Sequence, residues 1–284
     1  MAERVRFLGR AIIITNGYGS TSEWSDLPGT QTDGVRWKET LETLRFRTDI
    51  YQNVRRDLFL RIVENLLKED INQGLYHYLV FVYCGHGTAT EIIAEDGTSI
   101  ETNYLIETIS GHRCGTGVKK LMFFDSCRGS LADRGVRKPL SSVSIADRGG
   151  KDVTGPLQPT VGNTLVVYST MDGYRAQEIN KNRYAGTTEG LWCGLFTERL
   201  AKENNSLLSI IANVNENMCE ICRKELIPQT DKASFQVAQF QCDIIGDVNL
   251  FKEARTLVPR PPPTIPQIAP PRYPPQASQP SKKQ

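Results

Sequence analysis

Two stretches, YHYLVFVYC (76–84) and KLMFFD (120–125), are apolar almost throughout. They limit the fold more than any other feature. A strand with one wet face alternates apolar and polar side chains, whereas a continuous apolar run marks a strand covered on both faces. Such strands need helices above and below, and the flanking sequence supplies them. RAIIIT (10–15) and NTLVVYST (163–170) read as further buried strands, and FRTDIYQ (46–52) fits another. Residues 33–44 carry Trp37, Leu41 and Leu44 on one helical face. Residues 57–68 repeat Leu58, Ile62, Val63, Leu66 and Leu67 at helical spacing. EIIAEDGTSI (91–100) holds Asp96-Gly97, a hairpin turn, and a short helix is expected over 101–109. Helices are expected at 190–202 and 207–222, and a last strand within 236–251. The class is α/β: a three-layer sandwich, with a mostly parallel central sheet flanked by helices.

In sheets of this kind the functional site lies beyond the carboxyl ends of the strands. LVFVYC runs into Gly85-His86-Gly87, and LMFFD runs into Ser126-Cys127-Arg128-Gly129. If the two strands are neighbours, His86 and Cys127 share one edge. A thiol attacks as its thiolate, and an imidazole can take its proton and pass one to a leaving amine. The N–H groups of Gly87 and Cys127 are candidates to hold a developing oxyanion. The pair reads as acyl transfer, most naturally peptide hydrolysis. Blander readings stand beside it: a structural histidine, and a cysteine acting as a small core residue. Cys84-x-His86 with His112-x-Cys114 offers four metal ligands, but zinc pairs usually have wider spacing. Cys219-x-x-Cys222 falls inside an expected helix, where packing explains it better than redox chemistry.

Net charge is +2, so no strong field points to nucleic acid or an anionic membrane. No apolar run approaches the roughly 18 residues of a membrane span. MAERVRFLGR lacks the apolar core of a secretory signal. Seven cysteines, an odd number and mostly in apolar segments, fit a reducing compartment and a cytoplasmic protein. Residues 1–255 read as one globular unit, interrupted at 128–160 by a long charged loop. Residues 256–284 hold ten of the fifteen prolines and read as a disordered tail of polyproline II character. Within that tail, Arg260-Pro261-Pro262-Pro263-Thr264-Ile265-Pro266 fits the pattern SH3 domains bind. Pro270-Pro271-Arg272-Tyr273 fits the pattern WW domains bind.

The Asp125-Ser126-Cys127-Arg128-Gly129 stretch, with His86 41 residues before the thiol, resembles the active-site signature of caspases. LPGTQTDGVRWKETLETLRF is similar to their Gly-Thr-x-x-Asp segment and the helix after it. VYCGHG resembles their histidine motif, VVYSTMDGYRAQE their Tyr-Ser-Thr strand and substrate loop, and GLWCGLFTERL the helix that follows. The resemblance covers about residues 8–253. It implies a large-subunit-like part (1–127), a linker loop (128–160) and a small-subunit-like part (161–255). It also implies a cysteine endopeptidase working through His86 and Cys127.

The departures from caspases concern the pocket for the residue before the scissile bond, P1. Caspases cut after Asp using a basic pocket. Here Leu27 stands where that family has an Arg before Gly-Thr, Asp125 replaces the Gln before the cysteine, and Glu178 falls on the place of the second pocket Arg. With Asp33, the resemblance implies a pocket of three carboxylates: Asp33, Asp125 and Glu178. In this the chain resembles paracaspases and metacaspases, which cut after Arg or, in metacaspases, after Arg or Lys. Its Glu178 and Arg128 bring it closest to the paracaspase type. A carboxylate pocket binds a guanidinium bidentately and repels an Asp side chain. Arg134, Arg137, Lys138, Arg148 and Lys151 in the loop offer sites for self-cleavage. No cofactor or metal is expected, and a calcium requirement stays open. Expected partners are protein or peptide substrates, a second copy through the strand near 236–251, and SH3 or WW domains at the tail. An Asp-specific caspase, or a silent caspase-like scaffold acting through its tail, are the alternatives.

Overall fold

The computed structural model describes residues 7–19, 24–71, 76–111, 117–128, 162–171, 176, 178–180, 188–226 and 236–257. Arg134, Arg137, Lys138, Arg148 and Lys151, the tail motifs, His112 and Cys114 lie outside them. The chain begins with β1 (Gly9–Thr15), α1 (Gly29–Thr43), β2 (Phe46–Gln52), α2 (Arg56–Ile71) and β3 (Tyr78–Cys84). A hairpin of β4 (Glu91–Ile93) and β5 (Ser99–Glu101) leads to α3 (Thr102–Ser110) and β6 (Lys119–Asp125). Then come β7 (Thr164–Tyr168), the ribbon β8 (Glu178–Asn180) and β9 (Thr188–Gly190), α4 (Leu191–Lys202) and α5 (Leu207–Ile221). β10 (Gln239–Cys242) and α6 (Leu250–Thr256) complete it.

The main sheet has six strands in the order β10-β7-β6-β3-β1-β2, all parallel except β10. β3 and β6 are therefore neighbours, with Cys84 opposite Asp125. Both strands are buried along nearly their whole length, as continuous apolar runs require. Their side chains still alternate between layers. Val80, Val82, Cys84, Leu121 and Phe123 pack with α1, α4 and α5. Leu79, Phe81, Tyr83, Met122 and Phe124 pack with α2 and α3. The first layer centres on Trp37, Phe123, Trp192 and Phe196, with Trp192 and Phe196 stacked at 4.6 Å. Truncating such a residue, as in Phe123→Ala, costs about 3–5 kcal/mol.

Two expectations need correction. α1 begins at Gly29, ahead of residue 33, because Pro28 already holds helical angles (φ −63°, ψ −26°) and starts the helix. In α2, Leu58 is 45% exposed and Phe59 is buried in its place. Phe59, Ile62, Val63, Leu66 and Leu67 form the better stripe, at i, i+3, i+4, i+7 and i+8. α6 was not expected at all; Asn249 caps it by accepting from the Lys252 N–H at 2.9 Å.

The connection leaving β1 passes through α1 to one face, and that leaving β3 passes through α3 to the other. Chains that diverge in this way open a crevice between the two carboxyl ends. Among the described residues no helix is long and apolar enough to cross a membrane.

Candidate active site

His86 and Cys127 each stand two residues beyond a register pair, Cys84 and Asp125, so they leave the sheet at the same level. Their loops touch. A β-carbon built on Gly87 would lie 2.8 Å from Ser126 Oγ and 2.9 Å from the Cys127 carbonyl oxygen, too close for any side chain. Gly87 also forms a bridge with Ile92. The bonds closing that bridge run from Thr88 N–H to Glu91 O (2.8 Å) and from Ile93 N–H to His86 O (3.0 Å). In this pattern the Gly87 amide turns away from Ile92. Cys127 is half-buried and forms no disulfide.

The His86 ring is buried and held by the loop after β1. Its Nε2–H donates to the Ser25 carbonyl at 2.8 Å, with Ser25 Oγ at 3.4 Å. This fixes the neutral tautomer and leaves Nδ1 with its lone pair. The ring packs against Tyr18 and Trp24, with centroids 4.5 and 5.0 Å away. The His86 amide donates to Tyr18 Oη at 3.0 Å, and its carbonyl accepts from the Tyr83 hydroxyl at 2.9 Å. Both tyrosine hydroxyls also reach the Ile93 carbonyl, at 2.5 and 2.6 Å. Burial pushes the His86 pKa below its ordinary 6.5, outweighing the bond to Ser25, which raises it. His86 is therefore neutral at pH 7 and able to accept a proton.

Asp33, near the start of α1, and Asp125, at the end of β6, meet beneath this edge. A β-carbon on Gly190 would lie 2.9 Å from Asp33 Oδ2 and 3.1 Å from Asp125 Oδ2. The Gly190 N–H donates to Asp33 Oδ1 at 2.9 Å. Both carboxylates are buried, and Asp125 Oδ2 has no hydrogen-bond partner. Burial pushes the Asp125 carboxyl up to about 6. Register places Glu178 of β8 directly opposite Gly190 of β9, the glycine that lies against the two acids. Arg36 of α1 ties β9 down through Glu189, at 2.6 Å.

Arg128 is buried. Its guanidinium lies 4.2 Å over the Tyr168 ring and donates to Gln239 Oε1 (2.7 Å) and to the Ala89 carbonyl (3.3 Å). It thereby joins the Cys127 loop to the His86 loop and to β10. Cys84 is sealed in the core with its thiol pKa raised by burial, and Cys219 and Cys222 lie at the end of α5. Sequence reasoning missed Ser25, Tyr18, Tyr83, Trp24 and the Arg36–Glu189 pair. Tyr83 carries a readable signal, a hydroxyl at the carboxyl end of a largely apolar run.

The profile of the Caspase domain family matches residues 8–242. Caspase-1 of Spodoptera frugiperda is 23% identical over 197 residues, 69% of this chain and 60% of that protein. Caspase-3 of Mesocricetus auratus is 27% identical over 171 residues, 59% of this chain and 58% of that protein. The chain thus spans about three fifths of the length of these two relatives. Caspase-3 of Mus musculus is 25% identical over 233 residues, covering 81% of this chain and 76% of that protein. The crystal structure of the Spodoptera frugiperda Caspase-1 superposes with a TM-score of 0.63 at 17% identity, covering 86% of this chain and 90% of its own. That likeness gives the fold, and the profile gives the family. The chain belongs to the Caspase domain family, a family of cysteine peptidases, and has its fold.

Proposed function

We propose that the chain is a cysteine endopeptidase of the paracaspase type that cleaves after a basic residue, Arg or Lys. The observation carrying this reading is the buried meeting of Asp33 and Asp125 at Gly190, with Glu178 opposite in register. A P1 guanidinium would offer Asp125 Oδ2 the hydrogen bonds it lacks and balance the charge. A P1 carboxylate would be a third like charge beside two buried carboxylates, at a cost of several kcal/mol.

The chemistry follows from the tautomer. His86 Nδ1 takes the Cys127 thiol proton, and the thiolate sulfur bonds to the scissile carbonyl carbon. The carbonyl oxygen takes the electron pair and is held by the Gly87 and Cys127 amides. The C–N bond then breaks as Nδ1–H passes its proton to the leaving amine. Water, losing a proton to Nδ1, attacks the thioester; the carbon–sulfur bond breaks, and the Cys127 thiol is restored.

Matched fluorogenic peptides differing only in Arg, Lys or Asp at P1 test the reading, beside Cys127→Ala. The expected result is cleavage after Arg that vanishes in the variant. Cleavage after Asp alone would replace the specificity while keeping the peptidase.

A further inference from the structure

The carboxylates of Asp33 and Asp125 are joined in the pocket floor by a third group, the thiol of Cys193. One oxygen of each carboxylate and the Cys193 sulfur lie within 4.8 Å of one another, and all three residues are buried. The three come from separate elements, α1, β6 and α4, so packing holds them together rather than one flexible loop. The cluster is more than a patch of acids. Asp125 is 93% buried, its Oδ2 has no hydrogen-bond partner, and that oxygen and Asp33 Oδ2 face the same point beside Gly190. The Cys193 S–H lies 3.8 Å from the Asp33 backbone carbonyl, a weak contact, and also interacts with the Asp33 carboxylate, the group it would share an ion with.

We propose that Asp33, Asp125 and Cys193 form a binding site for a thiophilic divalent cation, zinc or its probe cadmium, in the floor of the pocket. The donor set selects the ion. One thiolate with two carboxylates suits zinc. Calcium takes six to eight oxygens and magnesium an octahedron of them, which a sulfur-bearing trio does not offer. Bond lengths of about 2.3 Å to sulfur and 2.0–2.2 Å to oxygen put tetrahedral ligands about 3.5 Å apart. The trio therefore closes by about 1 Å around an ion, within the reach of side-chain adjustment, and water completes the fourth position. The Cys193 thiol proton leaves to solvent as the metal–sulfur bond forms. A bound cation would occupy the space assigned above to a P1 guanidinium, making zinc a competitive inhibitor of cleavage after Arg. That consequence rests on the proposed P1 pocket; the site itself does not.

The test uses the full chain as His86→Ala/Cys127→Ala, which removes the other His/Cys pair as a zinc site and needs no cleavage. Cadmium is titrated and the ultraviolet thiolate-to-metal charge-transfer band followed, with zinc affinity taken from competition against a chromophoric chelator. The expected result is one ion per chain and one thiolate band. The band should be absent after an added Cys193→Ser and zinc binding at least tenfold weaker after an added Asp33→Asn, with circular dichroism unchanged. Cys219→Ser/Cys222→Ser in the same background should keep the band. Loss of the band with that pair, or its retention in Cys193→Ser, overturns the proposal. If Cys193→Ser fails to fold, retention of full zinc affinity in Asp33→Asn overturns it. Zinc binding without cleavage of Arg peptides would fail the P1 reading alone; cleavage of Arg peptides without a thiolate band would fail this one alone.

Discussion

His86 Nε2–H donates to the Ser25 carbonyl oxygen at 2.8 Å, and this bond leaves Nδ1 as the ring nitrogen with a free lone pair. A histidine on a glycine-flanked loop would otherwise sample both tautomers. Here a backbone oxygen from the loop after β1 holds one of them and leaves Nδ1 unprotonated. Burial keeps the ring neutral, so no proton must be shed before catalysis.

A pH profile follows. His86 loses its lone pair when protonated, and its folded pKa lies below 6.5. The acidic limb of kcat/KM should therefore fall at an apparent pKa below 6.5. Stability carries the same sign: it is fully present above the unfolded value and is lost as pH falls through the lowered folded one. His86→Ala should lower kcat by about 10²–10⁴-fold. An acidic limb above 6.5 would contradict the buried, neutral ring.

Gly87 is the second lever. Its missing β-carbon leaves room for Ser126 Oγ and the Cys127 carbonyl, both under 3 Å from where that carbon would sit. Gly87→Ala should spread the two loops and shift the amide proposed to hold the substrate oxygen. The expected loss is about 10²–10³-fold in kcat, the scale of removing one oxyanion donor. Urea unfolding should show a destabilisation of about 1–3 kcal/mol.

Gly190→Ala tests the pocket without touching the dyad. Gly190 has φ −66°, which alanine adopts without strain. The added methyl would fall 2.9 Å from Asp33 Oδ2 and 3.1 Å from Asp125 Oδ2. The expected outcome is a KM for Arg peptides raised tenfold or more with the fold intact. Asp125→Asn should likewise lower kcat/KM for Arg while leaving a neutral P1 peptide nearly unchanged. Both are read from steady-state kinetics in chelated buffer.

The strand-borne part of this site was legible in sequence, and the loop-borne part was not. His86 and Cys127 stood out because apolar runs fix where strands end, and parallel pairing then fixes their common level. Asp33 and Asp125 were paired by the resemblance to the caspase motifs, since nothing in their own spacing brings them together. Ser25 acts chiefly through a backbone oxygen, which any residue type supplies, so its side chain gave little to read. Tyr18 and Trp24 act through a crevice that exists only once β1 and β3 are adjacent. Leu58 misled because two leucine-rich stripes fit α2, and only the packing against β1 and β3 selects the one through Phe59.

The inserted loop gives an independent reading of specificity. Arg134, Arg137, Lys138, Arg148 and Lys151 lie there beside Asp133, Asp147 and Asp152. Incubated at high concentration, the enzyme should cut itself after one of the basic residues, and Cys127→Ala should stay whole. Mass spectrometry of the fragments reads the site; a cut after an Asp would count against the acidic pocket.

The most direct test of the central claim compares Arg with citrulline at P1 in one peptide. The two side chains match in shape and differ in charge. If Asp33 and Asp125 bind a cation, kcat/KM should favour Arg by about 10²-fold or more, in keeping with a buried charge pair worth 2–5 kcal/mol. Equal cleavage of the two peptides would mean that the carboxylates do not bind the substrate's charge, and would contradict the account.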